Sequence, residues 1–388
     1  MKKLIIISNE SVFTGSAKSG VGEMTDSLAN SVGREYDTIV ICPDGKGILT
    51  KFPGNMRKYD TQTRTCRVFG VTYYMVEYMA WPNHAWKIAD TLDADIIHNL
   101  ANVDGYTQLT KRPSRMIFSF DRKESIENIR DIDVHLAQYD AVRTGSASYN
   151  NSLLRQRSTI GSVLANLNNF GGISNGIATP GYAPEKKLLI TAKYSAEDQS
   201  GKQKCKDKLC KIYGIPNDKV LFLMMCDMCH EKGADAVLNQ LHFIRDNGGF
   251  TLLVGSSCNE LKNRFKSLTR ADGVIWIPDR PNPIKAIPMM AAADFYLSPS
   301  ITEPGGLMPM QASRYATVPI ITPVDALADN FNRDNSIFIE DNLEDAIANA
   351  FSLYSDKEAL RIKRKACMEQ DFSWKNRKTA YLDLYEGI

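Results

Sequence analysis

The first residues that could do chemistry lie in residues 14–22, a loop of small side chains that precedes a helical pattern. The loop reads Thr-Gly-Ser-Ala-Lys-Ser-Gly-Val-Gly. Small residues let the backbone approach a phosphate closely, and the following helix offers N–H groups and a positive dipole end. Lys18 adds a mobile cation. Because the spacing matches neither a Walker loop nor Gly-x-Gly-x-x-Gly, the pattern allows anion binding without identifying the anion.

A second loop, residues 226–233, reads Cys-Asp-Met-Cys-His-Glu-Lys-Gly and lies between an apolar strand pattern and a helical pattern. Lys232 at the start of that helix is well placed to meet a diphosphate, because helix N-termini attract anions. The alternative interpretation is a solvated lysine in a first helical turn. Cys226 and Cys229 would need a second pair of similar spacing to bind zinc, so we expect buried or half-buried thiols and no metal site.

A third loop, residues 298–309, reads Ser-Pro-Ser-Ile-Thr-Glu-Pro-Gly-Gly-Leu-Met-Pro and places Glu303 before two glycines that open a helix. A carboxylate beside unpaired helix N–H groups suits a ligand with hydroxyls and a phosphate, since the carboxylate accepts from hydroxyls and the amides bind phosphate. The alternative is that Glu303 is an ordinary helix-start residue. That alternative does not account for the continuation Arg-Tyr-Ala-Thr-Val-Pro-Ile over residues 314–320.

Alternating apolar runs and helical patterns must position these loops. The predicted strands are residues 3–8, 37–42, 95–98, 116–120, 220–225, 250–255, 274–278, 295–298, 318–322 and 337–339. The predicted helices are residues 22–32, 234–245, 259–268, 283–293, 307–315 and 343–354. Strands that are apolar throughout, such as residues 220–225, are typical of parallel sheets covered on both faces. A glycine-rich stretch at residues 171–176 separates two such α/β sets and predicts a hinge.

Composition and charge exclude several classes of protein. The chain has 388 residues, more than the roughly 250–300 at which single cores stop growing, so two domains are expected. With 43% hydrophobic and 24% charged residues, it is not a disordered chain, and a formal charge of +2 disfavours polyanion binding without excluding it. No apolar run approaches the roughly 18–20 residues of a membrane span, and the N-terminus lacks a signal cleavage site. We therefore expect a cytoplasmic protein.

Two further features have structural interpretations. Residues 185–211 contain eight lysines, which could reach an acidic ligand. A solvated helix face or linker is the favoured interpretation of that run. His98 ends a predicted strand, where a histidine held in the core is favoured over a catalytic one.

The string from Pro299 to Ile320 resembles the hallmark of the glycogen and starch synthase family of glycosyltransferases, Pro-Ser-x-x-Glu-Pro-Cys-Gly-Leu followed by Arg-Tyr-Gly-Thr-x-Pro. Other stretches resemble motifs of this family and follow one another in the family's order. They are Lys18-Ser19-Gly20, Asp95-Ile96-Ile97-His98, Ser174-Asn175-Gly176-Ile177, Glu231-Lys232-Gly233, Ala326-Leu327-Ala328-Asp329 and Phe372-Ser373-Trp374. The resemblance extends over nearly the whole chain, and several ordered matches are more specific than any single motif.

The resemblance implies an α/β protein with the GT-B fold, in which two Rossmann-like domains face each other across a cleft. Residues 1–173 would form the acceptor-side domain and residues 174–368 the nucleotide-sugar-binding domain, and residues 369–388 would form a helix that crosses back to the first domain. The family moves glucose from a nucleoside diphosphate with retention and without a metal. The implied donor is of the ADP-glucose or UDP-glucose type, and no further cofactor is required.

The resemblance also assigns roles to individual residues. Lys18 and Lys232 would neutralise the diphosphate leaving group, and such preorganised charge is usually the largest catalytic contribution. Glu303 would hold the hydroxyls of the donor sugar. The residues implied to bind the donor are Lys18, Gly20, Asn175, Gly305, Gly306 and Leu307, and those implied to be catalytic are Lys232, Glu303 and Asp121.

Several positions depart from the family's pattern. The family has an arginine five residues before Lys232, where this chain has Asp227, an anion in place of a diphosphate-binding cation. A catalytic histidine of the family falls, in a loose alignment, on Asp121. The aspartate of the family's Asn-Gly-Ile-Asp is Ala178, the cysteine of its Glu-Pro-Cys-Gly-Leu is Gly305, and its Gly-Gly before Leu-Ala-Asp falls at residues 324–326.

These departures keep three functions open. The first is a retaining glycosyltransferase that moves a hexose to an unidentified acceptor, for which a glucan and a small glycoside are candidates. The second is a GT-B scaffold with impaired catalysis that acts as a binding module, suggested by Asp227 and Asp121. The third is a transferase that glycosylates a modified nucleic-acid base or a protein, suggested by the lysine-rich residues 185–211 and by an N-terminal half shorter than in polymer-forming members.

Overall fold

The structure is a computed structural model that describes residues 1–16, 20–45, 56–100, 109–127, 129–156, 158–178, 181–186, 189–279 and 283–387. The strands are β1 (Lys3–Ile7), β2 (Asp37–Pro43), β3 (Met56–Lys58), β4 (Thr63–Val68), β5 (Val71–Val76), β6 (Ile96–Asn99), β7 (Arg115–Ser119), β8 (Ala141–Thr144), β9 (Phe170–Gly172), β10 (Val220–Met225), β11 (Gly249–Val254), β12 (Val274–Ile277), β13 (Phe295–Ser298), β14 (Val318–Ile321) and β15 (Ile337–Phe338). The helices are α1 (Gly20–Val32), α2 (Asn83–Thr91), α3 (Ile132–Leu136), α4 (Ala147–Arg155), α5 (Thr159–Ala165), α6 (Ser200–Tyr213), α7 (Ala234–Asp246), α8 (Lys262–Lys266), α9 (Pro283–Ala292), α10 (Leu307–Arg314), α11 (Asp325–Asn330), α12 (Leu343–Ser355), α13 (Lys357–Glu369) and α14 (Trp374–Glu386).

The predicted alternation of strands and helices is confirmed, and the fold is α/β. The predicted strands at residues 220–225 and 295–298 match β10 and β13, and the predicted helix at residues 259–268 is shorter in the structure. The chain divides into two compact units. Unit 1 comprises Met1–Ile177 with Ser373–Ile388, and unit 2 comprises Ala178–Phe372. Among the described residues, no helix combines the length and the apolar character that crossing a membrane requires.

Unit 1 is built on a sheet whose described strands run in the order β3-β4-β5-β2-β1-β6-β7-β8-β9. All pairings are parallel except those of β4 with β3 and β5. β1 is buried on both faces, with Ile5 and Ile7 in one apolar cluster and Leu4 and Ile6 in another. This explains why the strand is apolar at four successive positions, Leu4 to Ile7, rather than at alternate ones.

Part of the glycine-rich stretch predicted as a hinge lies inside the sheet. Gly171 and Gly172 belong to β9 and pair in parallel with β8. A Cβ on Gly172 would lie 2.0 Å from the Ser146 carbonyl oxygen, so the close approach of two backbones requires glycine there. The sequence pattern located the glycines correctly. In β9, however, glycine is required at position 172 by close backbone packing and not by a hinge.

Unit 2 has a second parallel sheet whose described strands run in the order β12-β11-β10-β13-β14-β15. Its central strand β10 also faces apolar layers on both sides. Leu221 and Leu223 belong to one cluster, and Phe222 and Met224 belong to the other. Because β10, β13 and β14 are neighbours, the loops after these three strands leave the sheet at the same edge.

The interpretation of the lysine-rich residues 185–211 as a solvated face is wrong for two lysines. Lys204 and Lys208 of α6 are exposed, but Lys202 and Lys206 are fully buried. Lys206 Nζ lies 2.6 Å from Asp294 Oδ2 and 2.9 Å from the Tyr354 hydroxyl. A lysine is buried only where a tertiary partner satisfies its charge, and such partners leave no periodic signal in the local sequence.

The expectation that His98 is held in the core is confirmed. Its side chain at the end of β6 is fully buried, with Nδ1 2.9 Å from the Tyr385 hydroxyl and Nε2 2.7 Å from Ser119 Oγ. Burial, together with the positive charge of Arg143, lowers the pKa of His98 to about 3. The imidazole is therefore neutral in the folded protein at neutral pH, and it joins α14 to the sheet of unit 1.

The stability of unit 1 should depend on pH through His98. Between its folded pKa of about 3 and its ordinary value of 6.5, only the unfolded chain binds the proton, so stability rises with pH by at most about 1.4 kcal/mol per unit. In His98→Gln, we expect the unfolding free energy, measured by urea titration, to rise less steeply between pH 4 and 6. Asp26 lies in α1, and burial raises its pKa to about 6, so the stability that it contributes falls as pH rises. In Asp26→Asn, we therefore expect the unfolding free energy to rise more steeply between pH 4 and 6 than in the wild type. A wild-type slope in His98→Gln would contradict this account.

Candidate functional site

Two loops at the carboxyl edge of the unit 2 sheet are held together by a close backbone contact. Gly233 has φ +71°, and a Cβ at this position would lie 2.1 Å from the Pro299 carbonyl oxygen. Only glycine therefore allows the two loops to approach this closely. The Ile301 amide also donates to the Glu231 carbonyl at 2.8 Å. The residue that precedes the glycine, Lys232, is thereby brought against residues 300–303.

Lys232 and Glu303 form a shielded ion pair in this loop cluster. Lys232 Nζ lies 2.8 Å from Glu303 Oε2, and the two side chains are only 21% and 17% exposed. Lys232 Nζ also donates to the Thr302 carbonyl at 3.3 Å. Burial lowers the pKa of Lys232, but the charge and hydrogen bond of Glu303 outweigh it, so the net shift is upward. Lys232 is therefore a permanent cation across the neutral range.

The carboxylate of Glu303 is oriented by groups on both of its oxygens. Ser300 Oγ lies 3.4 Å from Oε2, and the Gly306 amide donates to Oε1 at 3.3 Å. Gly306 caps the N-terminus of α10 with φ +63°, a conformation that favours glycine. The first amides of α10 have no carbonyl acceptor within the helix, and they carry the positive end of its dipole. The structure thus brings the predicted residues Lys232, Glu303, Gly305, Gly306 and Leu307 into one cluster.

Asp325, which the sequence reasoning did not select, fixes the backbone on which Glu303 stands. Asp325 Oδ2 accepts from Thr302 Oγ1 at 2.8 Å and from the Glu303 amide at 2.9 Å. The Ala326 amide donates to the Glu303 carbonyl at 3.1 Å. Asp325 has φ +46°, and it lies in residues 324–326, where the resembled family has Gly-Gly. Aspartate is among the few residues that tolerate this conformation, so the departure from glycine could have signalled it.

Asp227, one of the residues that depart from the resembled family, lies in the same loop as Lys232. Asp227 follows the end of β10 and is half-buried. Cys226 and Cys229 are partly buried free thiols, and burial raises the pKa of both. The prediction of half-buried thiols at the end of a strand is confirmed. Among the described residues, no three His, Cys, Asp or Glu side chains are grouped as metal ligands.

The remaining predicted site residues belong to unit 1, apart from Lys18, which lies outside the described residues. Gly20 is the first residue of α1. Asn175 is buried, and its Oδ1 lies 3.4 Å from the Tyr381 hydroxyl of α14. Asp121 follows β7, accepts from Ser125 Oγ at 2.7 Å and lies 3.5 Å from Arg122 Nε.

The first loop of unit 1 is held by a carboxylate that the sequence reasoning also missed. Asp26 of α1 accepts from Ser11 Oγ at 2.8 Å and from the amides of Val12 and Phe13 at 2.7 and 3.1 Å. Ser16 Oγ accepts from the Ser11 amide at 3.0 Å. The small residues of this loop therefore serve a local hydrogen-bond network within the described part of residues 14–22.

Removing the Asp325 carboxylate should loosen the Glu303 segment. In Asp325→Ala, two donors lose their acceptor and alanine must adopt a positive φ, so we expect a loss of about 2–4 kcal/mol in unfolding free energy. Asp325→Asn keeps one acceptor and tolerates the backbone conformation, so its loss should be smaller. Urea unfolding would measure both variants. Asp341→Ala, at an exposed position, is the matched control. Equal stability of Asp325→Ala and the control would contradict the role of Asp325.

A sequence model of a protein family matches the part of the chain that contains this cluster. A sequence model described as glycosyl transferases group 1 matches residues 206–371, which lie within unit 2. A glycogen synthase of Lactococcus lactis is 30% identical over 274 residues, which are 64% of this chain and 56% of that protein. A glycogen synthase of Streptococcus pneumoniae is 32% identical over 237 residues, 56% of this chain and 49% of that protein. The chain spans about half the length of the curated relatives it matches.

Structural comparisons identify the same fold. The catalytic domain of starch synthase IV from Arabidopsis thaliana, bound to ADP and acarbose, aligns with a TM-score of 0.83 and 20% identity over 100% of this chain and 99% of that chain. Anabaena HepE in complex with UDP and glucose aligns with a TM-score of 0.66 and 12% identity over 100% of both chains. Residues 206–371 match the glycosyl transferases group 1 model, the chain is similar to glycogen synthases over part of its length, and it has the GT-B fold.

Proposed function

We propose that this protein is a retaining, metal-independent glycosyltransferase that moves a hexose, glucose, from an ADP- or UDP-sugar to a glucan or small glycoside acceptor. The observation that carries the proposal is the ion pair of Lys232 and Glu303 beside the N-terminus of α10. The homology to glycogen synthases supports it. The solved neighbours that hold ADP with acarbose, or UDP with glucose, support the class of donor.

The proposed role of Lys232 is to bind the diphosphate leaving group. Its upward pKa shift keeps the ammonium charged, and the amides that open α10 at Leu307 add a second positive region. A diphosphate gains negative charge as the sugar departs, so charges already in place stabilise the transition state more than the ground state. The donor would compete with Glu303 for the ammonium, and Glu303 would then be free to accept hydrogen bonds from sugar hydroxyls.

The proposed transfer balances without a further reactant. The bond between the sugar C1 and the diphosphate oxygen breaks, and a bond from C1 to the acceptor oxygen forms on the same face of the ring. The proton of the acceptor hydroxyl leaves on the departing diphosphate. In this proposal Lys18, Gly20 and Asn175 of unit 1 contribute to donor binding, and Asp121 occupies the position of the catalytic histidine in the resembled family.

Turnover by Lys232 and Glu303 variants tests the assigned roles. We expect Lys232→Met and Glu303→Gln each to lower turnover at least tenfold, or about 1.4 kcal/mol of transition-state stabilisation, because each removes one charged partner of the donor. The measurement is release of labelled nucleoside diphosphate from a panel of labelled donors in the presence of a chelator. Lys208→Met, which changes an exposed lysine of α6, is the matched control.

Measurements of donor binding and of product configuration separate the proposed function from its alternatives. A donor that binds should stabilise the protein against heat, by about 2.7 kcal/mol at a hundred times its Kd. Failure of every nucleoside diphosphate to bind would overturn the proposal. NMR of the first product should show the anomeric configuration of the donor, and an inverted product would overturn retention.

A binding module without catalysis is the second candidate, and Asp227 favours it. This half-buried carboxylate stands where the resembled family has a cation for the diphosphate. Donor binding without turnover, with turnover restored in Asp227→Arg, is the result expected of an impaired scaffold. The lysine-rich residues 185–211 now support the transfer to a nucleic-acid base less well. Two of these lysines, Lys202 and Lys206, are buried and are not available to a polyanion.

A further inference from the structure

Lys202 is a fully buried lysine whose terminal nitrogen lies within hydrogen-bond distance of three oxygen atoms. Its Nζ lies 2.8 Å from the Tyr315 carbonyl oxygen, 3.0 Å from Thr317 Oγ1 and 3.3 Å from the Ala291 carbonyl oxygen. The side chain is 2% exposed. Three acceptors around one nitrogen match the three donors of a protonated lysine. These contacts hold the nitrogen in place, although burial and then the positive charge of Arg364 lower the pKa of Lys202 well below its ordinary value.

Two of these acceptors are carbonyls at the ends of helices. Ala291 lies in the last turn of α9, and Tyr315 is the residue that ends α10. The last carbonyls of a helix lack partners within it, so the hydrogen bonds from Lys202 Nζ satisfy one such carbonyl at the end of each helix. The Tyr194 hydroxyl donates to the same Tyr315 carbonyl at 2.9 Å.

The turn after α10 is held to the end of α9 by the same group of residues. Thr317 Oγ1 donates to the Ala293 carbonyl at 2.9 Å, and the Thr317 amide donates to the Ala312 carbonyl at 3.2 Å. Ala316, where the resembled family has glycine, has φ +56°. A non-glycine residue persists in this conformation only where its surroundings hold it. The contacts of Lys202 thus help to fix the carboxyl end of α10, together with hydrogen bonds from Ser313 and Arg314 to the Cys367 and Met368 carbonyls of α13.

The other end of α10 lies at the candidate functional site. α10 comprises eight residues, Leu307–Arg314, and at 1.5 Å per residue it is about 12 Å long. A helix this short moves as a rigid rod, so a shift at its carboxyl end is transmitted to Gly306 and to the amides beside Glu303. The motif at Pro299 to Ile320 therefore contains the site at its beginning and the anchor of α10 at its end.

The neighbouring buried lysine, Lys206, has different partners. Its ammonium pairs with Asp294, which also accepts from Arg364 at 2.7 Å and from the Leu221 amide at 2.9 Å. These contacts join α6 and α13 to the amino ends of β10 and β13. The hydrogen bonds of Lys206 go to Asp294 and Tyr354, and neither residue belongs to α10. Lys206 is thus an internal control for the loss of a buried lysine from the same helix.

We propose that Lys202 is a positioning residue for the diphosphate of the donor. It holds the carboxyl end of α10 and so keeps the amides at the amino end of α10 at the distance from Lys232 that the phosphate oxygens require. This inference rests on the proposed function, because it names how that same site is kept in its binding geometry.

The test compares two lysine variants of the full chain. In Lys202→Met, we expect the Kd for ADP and UDP, measured by calorimetry, and the donor KM to rise about tenfold, while the acceptor KM stays within twofold of wild type. In Lys206→Met, the Kd and the donor KM should stay within twofold, although its melting temperature falls. A wild-type Kd in a folded Lys202→Met, or an equal rise in both variants, would overturn the proposal.

Two milder variants test the proposal if Lys202→Met does not fold. Tyr194→Phe removes the second donor to the Tyr315 carbonyl, and Tyr354→Phe removes the hydroxyl beside Lys206. We expect a two- to threefold rise in the nucleotide Kd for Tyr194→Phe and none for Tyr354→Phe. Equal affinities in these two variants would overturn the proposal. If the wild-type protein binds neither ADP nor UDP, the proposed function itself is wrong. This outcome is distinct from failure of the Lys202 proposal, in which the wild-type protein binds nucleotide and the variants bind it equally well.

Discussion

The carboxylate of Glu303 is surrounded by positive partners, and the loops of unit 2 are arranged around this interaction. Lys232 supplies a full charge at 2.8 Å, and Gly306 supplies an amide at the start of α10. A shielded carboxylate requires such partners, because burial without them would cost several kcal/mol. The close contact of Gly233 with Pro299 holds the two loops of this cluster together. The hydrogen bonds that Asp325 accepts hold the backbone at Glu303.

The two edges of the unit 2 sheet use charge in different ways. At the carboxyl edge, the pair of Lys232 and Glu303 is shielded but still partly exposed, so a polyanionic ligand can compete for the lysine. At the amino edge, Lys206, Asp294 and Arg364 form a network with little exposure. A fully buried network of this kind is expensive to open, since removal of one partner leaves an uncompensated charge. The first arrangement suits binding and the second suits a fixed framework.

The departures from the resembled glycogen synthase pattern divide into two kinds. Asp325 and Ala316 stand where the family has glycine, and both keep the positive φ that glycine would allow. Asp325 adds two hydrogen bonds in the process, so its replacement of glycine is structural support. Asp227 differs in kind, because it reverses the sign of a charge near the proposed diphosphate site. The backbone of the site therefore follows the family more closely than its electrostatics do.

The sequence by itself predicted the alternating α/β pattern, without β3, β4, β5, β8 and β9, and it selected Lys232, Glu303 and the glycines of the main cluster. Apolar runs specify parallel strands such as β10 and β13, and loops that follow adjacent strands must leave the same edge of a sheet. Lys232, Glu303 and Gly306 could be selected because their types and spacing are local properties. Tertiary structure alone decided that Lys202 and Lys206 are buried, since their acceptors lie about 90 or more positions away. A lysine has the same local pattern on a solvated face as in a core, and the difference lies in the distant groups that satisfy its charge.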